Sequence, residues 1–261
     1  MSTLGDILDA TRATLPGLRP RRAELERAAA ARKAPPSFTA GLKGATVGLI
    51  AEVKRRSPSV GAINEGLDPV ALATAYSHGG AAAISVLTNQ AHFGGSMADL
   101  EAVVAAVPSP VLRKDFILDE LQLLEARAAG AAAALLIVRA LDQATLVRLH
   151  EFAREIGLVA LVEAHTSDEI RRALDAGARV IGVNARDLDT FTIDMTGAWR
   201  LLAEVPADCV AIAESGMTTV ADVESAAAAG ADAVLIGSAL ASAGNPTGRA
   251  SALSGVARRA R

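Results

Sequence analysis

Eight short apolar runs recur along the chain, and their repetition limits the folds that are open to it. The runs are residues 47–53, 82–88, 110–116, 132–138, 158–163, 180–184, 210–215 and 233–238. They are apolar at consecutive positions, which is typical of parallel strands covered on both faces. All but the fourth end or continue in a polar or glycine residue. Polar groups at the ends of many strands predict an α/β fold, a (β/α)8 TIM barrel with one functional mouth.

Glycines between the runs indicate where the intervening helices end. Gly80, Gly130, Gly177 and Gly230 each precede an alanine and then an apolar run, at spacings of 50, 47 and 53 residues. A glycine just past a helix supplies the left-handed backbone conformation that ends it. Each interval covers about two strand–helix units, so the spacing supports a regular alternation of strands and helices.

The length of 261 residues is typical of one such barrel. We predict a single domain over residues 1–261, with a helical extension at 1–45 and the barrel at 46–261. The extension is too short and too charged to build its own core. We expect it to pack on the barrel as helices at 1–14 and 21–32, with a break at Pro16 and Pro20.

Composition excludes several classes of protein. The net charge of −3 and the absence of a dense basic patch argue against nucleic-acid binding. The longest apolar stretch, residues 128–138, is shorter than the ~20 residues of a membrane span. Cys209 is the only cysteine, which fits a reducing compartment. The N-terminus also lacks a signal-peptide pattern. We predict a cytoplasmic protein without membrane partners, either a monomer or a weak homo-oligomer.

Strand alternation places charged and polar residues on the inner face of the barrel. The acid and the amine in run one share a face, and runs three, five and six add further groups. The converging set is Glu52, Lys54, Lys114, Glu163, Asn184 and Arg186. For any one residue a structural salt bridge is a serious alternative. Six polar groups at one end of an apolar barrel instead indicate a site where charge and burial tune acids and bases.

A second signal points to phosphate. Run seven ends in Ser215-Gly216 and run eight in Gly237-Ser238. Barrels often bind phosphate between these two loops through backbone N–H groups. Either pair alone is also ordinary turn chemistry, but both at these positions favour a phosphate site.

The four histidines show no metal-ligand spacing, so no metal site is predicted. His165 follows run five and His92 follows run two, so either could reach the mouth. A structural role is the stronger interpretation of both.

Several motifs resemble the indole-3-glycerol phosphate synthase family. The sequence AEVKRRSPS at 51–59 is highly specific for it. The similarity continues through SVLT at 85–88, FGGS at 93–96, LRKDF at 112–116, LVE at 161–163, NARDL at 184–188, AESG at 213–216 and IGS at 236–238. These motifs occur in order over about residues 45–240. Two departures are Asn89-Gln90, where an acidic residue is usual, and Val60, where a lysine is frequent.

The resemblance implies ring closure of 1-(2-carboxyphenylamino)-1-deoxyribulose 5-phosphate, with loss of carbon dioxide and water, in tryptophan biosynthesis. It implies a carboxy-lyase without a cofactor. Lys114 would be the general acid, and Glu163 would stabilise a cationic intermediate or accept a proton. Glu52 and Lys54 would serve the dehydration or hold the substrate, while Asn184 and Ser215 would assist. The implied substrate and phosphate contacts are Ser57, Phe93, Phe116, Arg186, Gly216, Gly237 and Ser238.

Three other functions compete with this interpretation. A phosphoribosylanthranilate isomerase should carry a cysteine near the first run, where this chain has Glu52. A Schiff-base aldolase would use Lys114 as a nucleophile. A sugar-phosphate sensor without activity would not need two acids beside an anion.

Overall fold

Eight parallel strands close into a barrel in a computed structural model that describes residues 3–57, 61–63 and 66–259. Each strand pairs with its neighbours in chain order, and β1 pairs with both β8 and β2. The strands are β1 Gly48–Val53, β2 Ala83–Leu87, β3 Val111–Lys114, β4 Ala133–Ile137, β5 Val159–Ala164, β6 Val180–Asn184, β7 Val210–Glu214 and β8 Ala233–Ile236. A short antiparallel pair, Arg56–Ser57 with Gly61–Ala62, follows β1. The predicted (β/α)8 fold is confirmed.

Helices cover the outside of the barrel, and the first of them also lies at its mouth. They are α1 Leu4–Leu18, α2 Arg22–Ala31, α3 Pro69–His78, α4 Gln90–Phe93, α5 Met97–Ala106, α6 Glu120–Ala129, α7 Gln143–Glu155, α8 Ser167–Asp175, α9 Met195–Leu202, α10 Val220–Ala228, α11 Ser238–Ala241 and α12 Pro246–Ser254. Within the described part of the chain, none of these helices has both the length and the apolar character needed to cross a bilayer.

The glycines that were expected to end helices do so. Gly80, Gly130, Gly177 and Gly230 have φ values of +87°, +93°, +87° and +101°. A residue with a side chain is strained at these values, so the glycine ends the helix and turns the chain towards the next strand.

The two faces of each strand pack in different layers. Leu49, Ala51 and Val53 point towards the surrounding helices, whereas Ile50 points into the barrel. Four fully buried side chains from the odd-numbered strands pack in the interior: Ile50, Leu112, Leu161 and Ile212. The barrel is therefore filled below its mouth, and a ligand can enter only from the carboxyl ends of the strands.

The N-terminal extension packs on two parts of the barrel. In α2, Leu25 and Ala29 contact Leu121 and Leu124 of α6. In α1, Leu4, Ile7 and Leu8 join the interior cluster. The second predicted helix matches α2 closely. The predicted break at Pro16 is wrong, because α1 continues to Leu18. Pro16 lies in the last turn, and a 3₁₀ segment at Arg19–Arg21 follows directly.

Candidate active site

One cavity of ≈ 210 Å³ lies at the carboxyl ends of the strands. Every strand of the barrel contributes to its wall directly or through the loop that follows it. Among the predicted site residues, those that line it are Glu52, Lys54, Phe93, Lys114, Phe116, Glu163, Asn184, Arg186, Ser215, Gly216, Gly237 and Ser238. The side chain of Ser57 lies outside the described part of the chain, as does Val60. The structure thus brings twelve of the thirteen residues together.

Lys114 lies between two buried glutamates at the centre of the cavity. Its Nζ is 3.5 Å from Glu163 Oε2 and 3.6 Å from Glu214 Oε2. Both glutamate side chains are 1% exposed, and Lys114 is 16% exposed. Burial at this level makes each group sensitive to the charge of the others. The three residues form one cluster, referred to below as the lysine–glutamate cluster.

Glu214 was not among the predicted site residues. It is the last residue of β7 and lies beside Asn184 of β6 in the sheet register. The alternation of strand residues contained the necessary signal. Because Ile212 points into the barrel, Glu214 must point the same way two residues later. The predicted site instead included only Ser215 and Gly216, the loop residues that follow it.

The protons of the lysine–glutamate cluster are unequally distributed. Burial raises the pKa of Glu214 well above its usual range, and the charge of Glu163 raises it further. Burial would also raise the pKa of Glu163, but Lys114 and then His165 lower it overall. Burial would lower the pKa of Lys114, but the neighbouring carboxylates outweigh this and raise it. Lys114 therefore favours its charged form and Glu163 its ionised form, whereas Glu214 is the carboxyl group of the cluster that holds its proton most tightly.

A second acid–amine pair lies on β1 and just past its end. Lys54 Nζ is 2.7 Å from Glu52 Oε1, and the two side chains are 16% and 4% exposed. Burial would raise the pKa of Glu52, but Lys54 and Lys114 lower it overall. Gly237 packs directly against this pair, and a Cβ at that position would collide with the Glu52 carboxyl group. The close approach of the backbone explains why glycine stands at the end of β8.

The loops after β7 and β8 form one side of the mouth. Ser215 and Gly216 both have positive φ, +67° and +85°, so the chain turns sharply after Glu214. Gly237 is the residue before α11, which begins at Ser238. Nearby, Arg186 donates from Nη1 to the Phe191 carbonyl at 3.2 Å, which holds it at the rim. Backbone N–H groups and a guanidinium at one side of a cavity suit an anionic group.

An apolar wall faces these polar groups. The rings of Phe93 and Phe116 lie 6.2 Å apart between centroids. Leu4 and Ile7 of α1 also line the cavity. The fourth run, which has no polar end, contributes Leu135 and Ile137. The cavity therefore has one face suited to an aromatic ring and another suited to charge.

Thr88, the polar end of the second run, supports the site from behind and is not part of the cavity wall. Its hydroxyl donates to Asp115 at 2.6 Å and accepts from Arg113 at 3.1 Å. Arg113 also pairs with Asp115 at 3.2 Å. These buried residues flank Lys114 on β3, so their bonds fix the strand end from which the lysine projects. Asn89, one of the two departures from the family pattern, caps α4 and lines the cavity.

Comparisons with known proteins agree with this geometry. A sequence model of indole-3-glycerol phosphate synthase matches residues 4–253. Indole-3-glycerol phosphate synthase from Streptomyces griseus is 50% identical over 248 residues, covering 94% of this chain and 92% of the relative. The enzyme of that name from Leifsonia xyli is 50% identical over 240 residues, covering 90% and 92%.

Solved structures resemble the chain in fold alone. A 3-hexulose-6-phosphate synthase from Salmonella typhimurium has a TM-score of 0.61 at 19% identity and covers 80% of this chain and 97% of its own. A thiamine phosphate pyrophosphorylase from Pyrococcus furiosus has a TM-score of 0.60 at 16% identity, covering 79% and 93%. The 50% sequence identity to the Streptomyces and Leifsonia enzymes, over at least 90% of this chain, establishes the family. The chain belongs to the indole-3-glycerol phosphate synthase family.

Proposed function

We propose that this chain is an indole-3-glycerol phosphate synthase. It converts 1-(2-carboxyphenylamino)-1-deoxyribulose 5-phosphate to indole-3-glycerol phosphate, carbon dioxide and water, as a step of tryptophan biosynthesis. The observation that carries the proposal is the placement of the lysine–glutamate cluster between an apolar wall and a rim suited to anions. A substrate with an aromatic ring at one end and a phosphate at the other matches this arrangement.

Lys114 acts as the general acid in ring closure. The aromatic carbon that bears the carboxylate attacks the ketone carbon, and Lys114 gives its proton to the ketone oxygen. The neighbouring carboxylates keep the amine protonated, so a donor meets the substrate. Loss of carbon dioxide then returns its bonding electrons to the ring and restores aromaticity. A positioned acid contributes about 10²–10⁴-fold to such a step.

The carboxylates stabilise the cationic intermediate of ring closure and take part in the proton transfers of the dehydration. The ionised Glu163 stabilises the positive charge that develops on the ring and nitrogen. In the dehydration, the hydroxyl group leaves with a proton as water, and the adjacent ring carbon loses a proton. The Glu52–Lys54 pair provides a base and an acid within 2.7 Å of each other for these transfers. Glu214 supplies a buried carboxylic acid as a second proton donor.

The rim residues bind the two anionic groups of the substrate. Ser57, Gly216, Gly237 and Ser238 contact the phosphate, and Arg186 pairs with an anionic oxygen in the bidentate way that lysine cannot. Asn184 and Ser215 bind hydroxyl groups. Phe93 and Phe116 pack on the anthranilate ring together with the apolar residues of α1.

The remaining properties follow the same proposal. The chain forms a single domain, with residues 1–45 as an extension that closes one side of the mouth. It needs no cofactor, because the acid and base groups are its own. It works in the cytoplasm as a monomer or weak homo-oligomer. Light scattering after gel filtration measures the oligomeric state directly.

Fluorescence of the indole product, formed from synthetic substrate, tests the function. Purified protein should produce indole-3-glycerol phosphate without an added metal or cofactor. No turnover would contradict the proposal and favour a sensor. Borohydride treatment with a keto-sugar phosphate provides the second arm, since a covalent adduct on Lys114 would show a Schiff-base enzyme instead.

A further inference from the structure

His165 lies between two carboxylates just past the end of β5. Its Nε2 is 3.4 Å from Glu163 Oε1, and its Nδ1 is 3.2 Å from Glu169 Oε2. The His165 side chain is only 4% exposed. It does not line the cavity, although it contacts the carboxylate that does. The imidazole therefore stands behind Glu163, on the side away from the substrate.

Glu169 is held firmly on the far side of the ring. It lies in the first turn of α8 and accepts the His165 backbone N–H at 2.6 Å. Arg139, after β4, donates from Nε to Glu169 at 3.1 Å and from Nη1 to Asp187 at 3.0 Å. Burial would raise the pKa of Glu169, but bonds from His165 and Arg139 lower it to about 2. Glu169 is thus a fixed, ionised anchor for the ring.

The second nitrogen of the ring faces one acceptor. Among the described residues, His165 Nε2 makes no hydrogen bond of regular geometry, and the charged oxygen opposite it is Glu163 Oε1, 3.4 Å away. An ionised carboxylate can only accept, so the nitrogen that faces it must donate. The other groups facing Glu163 are Lys114 on β3, Asn184 on β6 and Glu214 on β7. Lys114 takes the other oxygen, Oε2.

We propose that His165 is a positioning residue for Glu163. Its Nε2–H is directed at Glu163 Oε1 and its Nδ1–H at Glu169, so that Oε2 of Glu163 stays directed at Lys114 and the substrate. This inference rests on the proposed function, in which Glu163 acts on the reacting molecule. A buried carboxylate held from behind keeps its geometry as charge develops, which is the condition for electrostatic catalysis.

A purely structural role predicts something different. If His165 only stabilises the start of α8 through Glu169, its replacement would change stability but leave the chemistry of Glu163 intact. The side chain of glutamine separates the two roles, because its amide N–H can replace Nε2–H towards Glu163. Leucine fills similar space but cannot donate. The pair His165→Gln and His165→Leu therefore tests donation separately from packing.

Steady-state kinetics should distinguish these roles. We expect His165→Leu to lower kcat about 10- to 100-fold with KM within twofold, since small misplacement of a reacting group has effects of this size. The acidic limb of its kcat/KM profile should move to higher pH, because a carboxylate that loses a donor binds its proton more tightly. His165→Gln should recover most of both changes. His150→Leu, in α7 outside the barrel, is the matched control and should match the wild type.

Several outcomes would overturn the inference. His165→Leu with kcat within twofold of wild type, an unmoved pH profile in a folded variant, or His165→Gln no better than His165→Leu would each do so. Imidazole ¹⁵N–¹H spectra of the wild type give a readout independent of activity. They should show a slowly exchanging proton on His165 Nε2 that shifts in Glu163→Gln, and its absence would refute the contact. A wild type without turnover but with this proton contradicts the proposed function and leaves the contact standing.

Discussion

The two buried glutamates beside Lys114 should respond differently to the same substitution. Glutamine has the shape of a protonated glutamate, so Glu214→Gln replaces a neutral acid with a neutral amide. Glu163→Gln removes an ionised carboxylate. In that variant the repulsion from Glu163 no longer adds to the effect of burial, so Glu214 ionises more readily and can pair with Lys114 in its place. Each single variant therefore leaves Lys114 one carboxylate partner.

The distances give the size of the effect. A unit charge 3.5 or 3.6 Å from another interacts by about 5 kcal/mol at an effective dielectric constant of ~20. Because either glutamate can provide this interaction, we expect each single variant to change the free energy of unfolding by less than about 1 kcal/mol. In Glu163→Gln/Glu214→Gln, no described carboxylate remains within salt-bridge distance of Lys114. A buried charge left unpaired costs about 3–5 kcal/mol.

Thermal unfolding followed by circular dichroism measures this difference. For a domain of this size, a loss of 3–5 kcal/mol lowers the midpoint by about 6–20 °C. The single variants should remain within about 4 °C of the wild type. Indole fluorescence on the same samples should show that Glu163→Gln loses about 10²–10⁴-fold in kcat although it is stably folded.

Two results would refute this reasoning. If the double variant is as stable as the single ones, Lys114 does not depend on these carboxylates for its charge. If Glu163→Gln alone is as unstable as the double variant, Glu214 cannot take over the negative charge. A kcat of Glu163→Gln within tenfold of the wild type would separately remove Glu163 from the chemistry.

Three further predictions follow from single residues. Lys114→Ala should abolish turnover while substrate still binds measurably by calorimetry, and retention of most of the rate would remove Lys114 from its role. Gly237→Ala places a Cβ against the Glu52 carboxyl group and should lower kcat/KM at least tenfold. Unchanged kinetics would show that the loop after β8 shifts to make room for the methyl group. The lowered pKa of Glu169, about 2, stabilises the fold above pH ~5, and this contribution disappears as pH falls towards 2. Acid titration of Glu169→Gln should therefore show a smaller loss of stability than the wild type, and equal losses would contradict the assignment.

Much of the fold follows from local signals. The apolar runs match the strands because each is buried on both faces, and the glycines end helices because they alone adopt positive φ without strain. Alternation also predicted the inward direction of Glu52 correctly, since it depends only on the geometry of one strand. Such features need no knowledge of distant parts of the chain.

Other features of the site depend on packing across the fold. Thr88 ends an apolar run like the catalytic candidates, but its hydroxyl is bonded to Asp115 and Arg113, and Thr88 itself does not line the cavity. The closure of the apolar wall by Leu4 and Ile7 depends on where α1 docks, which strand periodicity does not determine. Likewise, the position of His165 behind Glu163 depends on Glu169 in the helix that follows and on Arg139, which comes from the preceding strand–helix unit.

The layered interior of such barrels explains how Glu214 could have been predicted as a site residue. Interior side chains form layers, each drawn from alternate strands. The buried layer of Ile50, Leu112, Leu161 and Ile212 comes from the four odd-numbered strands. Two residues further along each strand stand Glu52, Lys114, Glu163 and Glu214.

This upper layer contains three acids and one lysine, and Lys54 pairs with the first of the acids. Lys114 lies beside both of the other two acids, and His165 lies against Glu163 alone. Burial and the charge of Glu163 raise the pKa of Glu214, whereas Lys114 and His165 outweigh burial and lower the pKa of Glu163. A layer rule applied to the sequence would have found Glu214 as the fourth member, because the rule depends only on the two-residue step along each strand.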